Sequence, residues 1–126
     1  GATAFQKGLG AVHALSHPVG AIYGTHHGAT NAVFLPEVMR FNADAIADRF
    51  TAAAAYCGVA GGFDGFVTRV ASLTEELGLP TRLRDMGVGD DRFDDIAAAS
   101  LIDPSAGGNP IKLTHEASVK ILRACF

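Results

Sequence analysis

Hydrophobic residues recur at three- and four-residue intervals through almost the whole chain, which is the spacing of one face of an α helix. No segment shows the strict alternation of apolar and polar residues that is typical of a half-buried strand. The pattern predicts helices at about residues 2–17, 28–42, 44–57, 63–77, 91–101 and 114–122. We therefore predict an all-α fold, a bundle of about five or six helices that forms one domain over residues 1–126.

Proline and glycine set most of the predicted helix boundaries. Pro18 should end the first helix, because a residue that precedes proline is pushed out of helical geometry, and residues 18–28 are then a loop. Pro36 should kink or break the second helix, since it removes a backbone donor and crowds the preceding turn. Gly78, followed by Leu79 and Pro80, should stop the fourth helix. The candidate N-caps are Asn42 or Asp44 for the third helix, Asp90 or Asp91 for the fifth, and Thr114 for the last.

Composition narrows the class of protein. The chain has 126 residues, 48% of them hydrophobic and 18% charged, with a formal net charge of -3. This charge gives no attraction to a phosphate backbone or an anionic bilayer, so we expect neither a nucleic acid nor a membrane as partner. Cys57 and Cys125 belong to no CxxC pair and are too few for a disulfide framework, which favours a cytoplasmic location.

The mean hydropathy of +0.23 is high for a freestanding domain of this size, whose surface should be largely polar. The chain also opens on a helix-like apolar pattern without a cap residue, as if cut at its N-terminal edge. We therefore expect apolar residues of the first two helices, Val12, Val33 and Phe34 among them, to have been covered by a missing part. A homo-oligomer is the expected way to cover an exposed patch.

The histidines are the residues that point to chemistry, because His13, His17, His26 and His27 fall within a short stretch. His13 and His17 are four positions apart and share one face of a helix, and neutral imidazoles on rigid helices are good ligands for divalent metals. The alternative is that these are ordinary core or surface histidines, since HxxxH alone is a weak signal and the HExxH glutamate is absent. The spacing leaves both interpretations open.

A longer motif adds a family resemblance. The run GLGAVHALSHPVGAIYGTHHGATNAVFLPEVMRFN, residues 8–42, resembles the signature region of the iron-containing alcohol dehydrogenases. The stretch LGLPTRLRDMGV and the loop DPSAGGNP at residues 103–110 are similar to the same family. The resemblance covers essentially the whole chain. It implies the helical C-terminal metal-binding domain of such an enzyme, a dehydroquinate synthase-like bundle, without the nucleotide-binding domain.

The resemblance also implies roles for individual residues. His13 and His27 take the family positions of two ligands to iron(II) or zinc, and the other two ligands would lie upstream of this chain. His17 takes a catalytic position near the metal and the nicotinamide of NAD or NADP, without being a ligand. Ser105 takes a position near the substrate. His26 stands where proline is commoner, but the family's HG step favours His27 as the ligand.

The implied activity is hydride transfer between a small alcohol or aldehyde and the nicotinamide, with this chain inactive until it is joined to its N-terminal nucleotide-binding domain. The alternatives are a freestanding helical metal-binding module and a purely structural or interaction domain. Asn31 could support the metal site, but an asparagine in a first helical turn is more often a local hydrogen-bonding residue.

Overall fold

A computed structural model describes residues 8–126, and part of the first predicted helix, residues 2–7, lies outside this range. The described elements are six α helices and two short 3-10 helices, Arg84–Met86 and Pro104–Gly108. The α helices are α1 (Ala11–Tyr23), α2 (His27–Phe41), α3 (Ala43–Tyr56), α4 (Gly62–Glu76), α5 (Phe93–Ile102) and α6 (His115–Ala124). Residues 8–126 contain no strand, so the predicted all-α class is confirmed.

The hydrophobic core forms around α1, which packs against both α2 and α5. Leu15, Val19, Phe34, Ile96 and Leu122 are all 0% exposed in this core. Burying side chains of this size contributes roughly 1.5–3 kcal/mol each, which is the main favourable term that holds the bundle together. The position of α1 matters for the site below, because the face of α1 that is not in the core carries His13 and His17.

The predicted end of the first helix at Pro18 is wrong. Helix α1 continues through Pro18 to Tyr23 and ends at Gly24, whose backbone adopts the left-handed conformation with φ 67°. A proline inside a helix costs about 3 kcal/mol. Burial of Leu15 and Val19 on either side of it outweighs this cost, because helix stability in proteins comes mostly from tertiary packing. The predicted loop is therefore confined to residues 24–26.

Helix α2 runs without interruption across Pro36, so the helix does not break there, and the predicted kink at Pro36 stays a prediction. Val33 is 5% exposed and Phe34 is 0% exposed, and both belong to the core of this chain. They are therefore not available to a missing part of the protein, contrary to the expectation from sequence. Helix α2 is apolar on most sides and packs against α1 and α6 within the bundle.

Predicted N-caps differ in outcome. Thr114 caps α6 as predicted, since its Oγ1 accepts a hydrogen bond from the backbone N–H of Ala117. Asn42 precedes α3, but its side chain makes no cap bond because it pairs with Asn109 instead. Arg92, not an aspartate, occupies the N-cap position of α5, and it makes no side-chain cap bond. Asn42 thus has the predicted N-cap position, but a long-range pairing, which a local sequence rule does not consider, takes its side chain away from the cap.

Helices α3 and α4 form an antiparallel pair at one side of the bundle, where Phe50 contacts Phe63 and Phe66 edge to face. Helix α4 ends before Gly78 as predicted. Its apolar residues are only partly buried, since Leu73 is 44% exposed, and Leu77 just after its end is 65% exposed. Among the described helices, none combines the length and the apolar content needed to cross a bilayer.

Candidate metal centre

Three imidazole rings lie together where α1 meets the start of α2. The ring centroids of His13 and His27 are 5.2 Å apart, those of His17 and His27 are 5.4 Å apart, and those of His13 and His17 are 5.9 Å apart. The rings of His17 and His27 are stacked, with 14° between their planes. The structure therefore brings together all three histidines that the sequence singled out as site residues.

The backbone explains why the histidines meet. His13 and His17 lie one helical turn apart on α1, and His27 is the first residue of α2. The left-handed Gly24 closes α1 by donating its N–H to the Gly20 carbonyl, and it turns the chain back within three residues. The hydroxyl of Thr30 lies 2.8 Å from Thr25 Oγ1 and fixes this turn from the side of α2.

Asn31 joins the two predicted ligands. Its amide nitrogen Nδ2 lies 3.3 Å from Nε2 of His13 and 3.1 Å from Nε2 of His27. An amide N–H can only donate a hydrogen bond, so both Nε2 atoms accept, and a lone pair on Nε2 is also what a metal ion needs. The interpretation of Asn31 as a merely local hydrogen-bonding residue is wrong, because its side chain reaches across to α1.

Burial favours the neutral, metal-competent form of His13. Desolvation lowers the pKa of His13 below its ordinary value of 6.5, and the adjacent His27 and His17 rings lower it further. Asp103 raises the pKa of His13 but does not reverse the shift. His13 is therefore neutral at pH 7, which is the protonation state that coordinates a metal.

His26 does not join the cluster. Its Nδ1 accepts a hydrogen bond from the backbone N–H of Ala29, so the ring caps the start of α2. Histidine is an unusual N-cap, and here the ring nitrogen has the role that a serine or aspartate oxygen usually has. This placement explains how two adjacent histidines have separate positions, with only His27 facing α1.

A carboxylate from a distant loop reaches the third histidine. Asp103 Oδ2 lies 2.8 Å from Nδ1 of His17, and Asp103 Oδ1 accepts a 2.8 Å hydrogen bond from the backbone N–H of Ser105. Burial opposes ionisation of Asp103, but the hydrogen bonds from His17 and Ser105 hold its pKa below the ordinary value of 3.8. Asp103 is therefore an anion at pH 7, and Ser105 lies beside the histidine cluster through this shared carboxylate.

The loop that carries Asp103 and Ser105 is pinned by an amide pair. Asn109 Nδ2 donates to Asn42 Oδ1 at 2.7 Å, and Asn42 Nδ2 donates back to Asn109 Oδ1 at 3.0 Å. Asn109 also accepts from the backbone N–H of Ala11 and donates to the Ile111 carbonyl. These bonds join residues 103–110 to the first turn of α1 and the last turn of α2, the two helices that bear the histidines.

An open cavity of about 830 Å³ lies beside the cluster in the part of the chain that the structure describes. Its lining includes His13, Asn31, Asn42, Phe50 and Asn109, and the remaining lining residues are mostly apolar. A space of this size and character suits a small organic ligand or a packed side of another domain. Of the three clustered histidines, His13 lines this cavity.

The donor set fits a divalent metal only in part. Two imidazole Nε2 atoms converge on one point, and the carbonyl oxygen Oδ1 of Asn31 is buried there without a hydrogen-bond partner. Imidazole nitrogens are ligands that iron and zinc accept. Within residues 8–126, however, no three histidine, cysteine or acidic side chains are arranged to hold a metal ion. If His13 and His27 bind a metal, the described residues would supply two of the four ligands of an ordinary site.

Comparison with known proteins decides the family. The profile of the "Fe-containing alcohol dehydrogenase family, C-terminal" matches residues 2–126, which is nearly the whole chain. This chain belongs to that family. The expectation drawn from the signature at residues 8–42 is therefore confirmed.

Two relatives and one solved structure of the iron-containing alcohol dehydrogenases show the extent of the likeness. The chain is 46% identical over 119 residues to 4-hydroxybutyrate dehydrogenase of Cupriavidus necator, with 87% of this chain and 31% of the relative covered. It is 39% identical over 128 residues to lactaldehyde reductase of Escherichia coli K12, covering 94% of this chain and 33% of the relative. The crystal structure of a 1,3-propanediol oxidoreductase superposes with a TM-score of 0.88 at 34% identity, covering 94% of this chain and 33% of the other. The chain thus spans about a third of the length of the relatives it matches.

Sequence reasoning missed two members of the site, Asp103 and Asn109. Both lie in the DPSAGGNP loop, from which the sequence analysis singled out only Ser105. Polar side chains between glycines and prolines usually stabilise the turn itself, and Asp103 does so through Ser105. The available signal was that this loop also carries the family resemblance.

Proposed function

We propose that this chain is the metal-binding part of a dehydrogenase that transfers hydride between a small alcohol or aldehyde and NAD or NADP. The observation that carries the proposal is the convergence of His13 Nε2 and His27 Nε2 on a single point beside Asn31. Membership of the iron-containing alcohol dehydrogenases supports iron(II), or zinc, as the ion that the two histidines hold. The names of its relatives, 4-hydroxybutyrate dehydrogenase and lactaldehyde reductase, support a small hydroxylated or aldehyde substrate.

The proposal includes a further N-terminal part that binds the dinucleotide and completes the metal site. Three facts support this part of the proposal. The described residues offer only two convergent imidazoles, and the chain matches about 33% of a full-length relative. A strand followed by a GxGxxG turn, the usual dinucleotide site, is also not found in this sequence. The isolated chain should therefore have no dehydrogenase activity.

A bound divalent ion would act as a Lewis acid that lowers the pKa of the alcohol hydroxyl and stabilises negative charge on its oxygen. The chain's own residues prepare that chemistry. His13 and His27 direct their Nε2 atoms to the same point, and Asn31 keeps the two rings aligned through its hydrogen bonds. The apolar lining of the adjacent cavity would limit the access of water to the reacting atoms.

His17 and Ser105 are the residues that we propose to lie near the substrate and the nicotinamide. His17 is stacked on His27, so its ring lies directly beside one of the proposed metal ligands. Its catalytic role would be to make a hydrogen bond with the substrate oxygen or to contact the nicotinamide ring. Ser105 is held next to His17 by Asp103 and would contact the remainder of the substrate.

Titration of the purified chain with Zn²⁺, followed by calorimetry, tests the metal-binding half of the proposal. We expect weak binding, because two neutral imidazoles cannot match a complete four-ligand site. His13→Ala and His27→Ala should each abolish that binding. His115→Ala is the matched control, because His115 is half exposed on α6 and only its contact with Asp94 is lost.

Equal Zn²⁺ affinity in the wild type, His13→Ala and His27→Ala would contradict the assigned ligands. Alcohol-dependent reduction of NAD⁺ or NADP⁺ by the purified chain alone would contradict the need for an N-terminal part. Adding the nucleotide-binding part of the protein should restore turnover and tighten metal binding at the same time. A cytoplasmic location and a homo-oligomeric state stay predictions from the sequence.

A further inference from the structure

The two carboxylate oxygens of Asp103 contact different parts of the chain. Oδ1 accepts from the backbone N–H of Ser105 and thereby caps the 3-10 helix Pro104–Gly108. Oδ2 lies 2.8 Å from Nδ1 of His17, whose position in the chain is 86 residues earlier. The side chain of Asp103 is 14% exposed, so this carboxylate is held by its surroundings and is not a mobile surface group. Its contact with His17 is therefore a built feature of the site.

An ionised carboxylate can only accept hydrogen bonds. The proton between Asp103 and His17 must then be on Nδ1 of the imidazole, and in the neutral ring Nε2 is left with a lone pair. The stacked His27 ring and the edge of the His13 ring restrict rotation of His17 about its side-chain bonds. The contact with Asp103 thus selects one of the two neutral forms of His17 and one ring orientation.

We propose that Asp103 is a positioning residue that fixes His17 in the Nδ1–H tautomer, so that Nε2 is left with its lone pair as a hydrogen-bond acceptor. A group that binds Nε2 in this form must be a donor, and the hydroxyl of an alcohol has the required chemistry. The assignment of an alcohol hydroxyl as the donor to Nε2 rests on the proposed function, whereas the assignment of the tautomer does not. Carboxylates that hold an imidazole in one tautomer are a recurrent device of catalytic sites.

The amide pair between Asn42 and Asn109 supports the same arrangement from the other end of the loop. It anchors residue 109 to α2 while Asp103 anchors the beginning of the loop to His17 on α1. Gly108 lies so close to the backbone of Leu9 that an added Cβ would come within 1.9 Å of its carbonyl oxygen. The loop therefore has little freedom to withdraw the carboxylate from the imidazole.

Asp103→Asn gives a sharp test, because asparagine is isosteric and is an equally good N-cap. Its Oδ1 would keep the bond from Ser105, and its NH₂ group would then face His17 Nδ1 as a donor. The tautomer of His17 should invert, with the proton moved to Nε2. The measurement is the ring ¹⁵N spectrum of the 126-residue chain at about pH 8.5, two units above the ordinary histidine pKa of about 6.5.

In the wild type we expect Nδ1 of His17 to show the protonated, pyrrole-like resonance and Nε2 the pyridine-like one. In Asp103→Asn the two should exchange, while the urea midpoint of unfolding stays that of the wild type. His17→Gln identifies the resonances by their loss. Asp94→Asn is the matched control, because it alters a carboxylate 3.7 Å from the half-exposed His115 and should leave the His17 resonances unchanged.

A wild-type His17 with the proton on Nε2 would overturn the proposal. So would an unchanged tautomer in an Asp103→Asn chain whose unfolding midpoint is normal. The side chain of Asp103→Ala has neither donor nor acceptor. This variant should therefore give a mixture of the two neutral tautomers of His17. Because the readout needs neither metal nor activity, failure of the dehydrogenase proposal would leave this result intact, and the reverse also holds.

Discussion

Replacement of Asn109 by alanine should be among the most destabilising single changes in the chain. The amide of Asn109 makes four hydrogen bonds: with Ala11 N, with both polar atoms of Asn42, and with the Ile111 carbonyl. Asn42 is 5% exposed and Ala11 is 0% exposed. The substitution therefore leaves three or four polar atoms without their partners in a mostly buried place.

The size of the effect follows from the cost of buried polar atoms without a partner, which is about 1–3 kcal/mol each. Asn42 and Asn109 both line the open cavity, so water can reach some of these atoms and reduce the cost. We therefore expect a loss of about 3 kcal/mol in the free energy of unfolding, a large part of the roughly 5–15 kcal/mol typical of a domain. With a slope of about 2 kcal/mol/M, the urea midpoint should fall by about 1.5 M.

Urea unfolding followed by far-ultraviolet circular dichroism measures this change, and a double-mutant cycle tests its cause. In the Asn42→Ala chain, Asn109 keeps its bonds to Ala11 and Ile111, so the loss should be smaller than in Asn109→Ala. The double variant should be more stable than the sum of the two losses predicts by about 1–2 kcal/mol. Thr68→Ala is the control, because this exposed hydroxyl bonds only within α4 and its loss should cost less than about 0.5 kcal/mol. Losses that add to within about 0.5 kcal/mol would refute the reasoning.

Three further predictions follow from the same structure. Gly108→Ala should lower the urea midpoint by an amount similar to that of Asn109→Ala, because its Cβ would lie 1.9 Å from the Leu9 carbonyl oxygen; an unchanged midpoint would contradict this close approach. The ring of His13 should titrate in proton NMR with a midpoint below 6.5 in the metal-free chain, and a midpoint at or above 6.5 would be inconsistent with the burial of the ring. The free energy of unfolding should decrease as the pH falls through that range, because the unfolded state then binds more protons than the folded state. A thiol reagent should modify Cys57 rapidly and Cys125 only after denaturation, because Cys125 is buried and burial raises its pKa to about 12; two fast thiols per chain would disprove this.

Local patterns in the sequence predicted the class of fold and the shared helix face of His13 and His17, because both depend on short-range order, whereas His27 was assigned to the site by the family resemblance. Helical periodicity is repeated many times, so the class survived individual errors such as the misplaced end at Pro18. His13 and His17 share a helix face by spacing alone, and His27 follows a short connection. These contacts need no knowledge of the distant parts of the chain.

The errors and omissions share a different cause. The cap at Asn42, the alignment of Asn31 and the roles of Asp103 and Asn109 all depend on partners far away in the sequence. A rule for a single residue gives its most frequent local role, and here tertiary contacts replaced that role. Pro18 is the clearest case, because burial of its neighbours outweighs the cost that the rule describes.

Two contacts of the histidine cluster, Asn31 with His13 and Asp103 with His17, differ in the sequence separation of the residues they join. This difference has a consequence for folding. Asn31 meets His13 across 18 positions, within a single pair of successive helices, whereas Asp103 meets His17 across 86 positions. Closing the longer loop costs about 1.4 kcal/mol more chain entropy than closing the shorter one. The imidazole pair can therefore form early, from local contacts, and the carboxylate joins it only when the last third of the chain is in place. A partly unfolded molecule should accordingly keep His13 and His27 together after the contact between Asp103 and His17 has been lost.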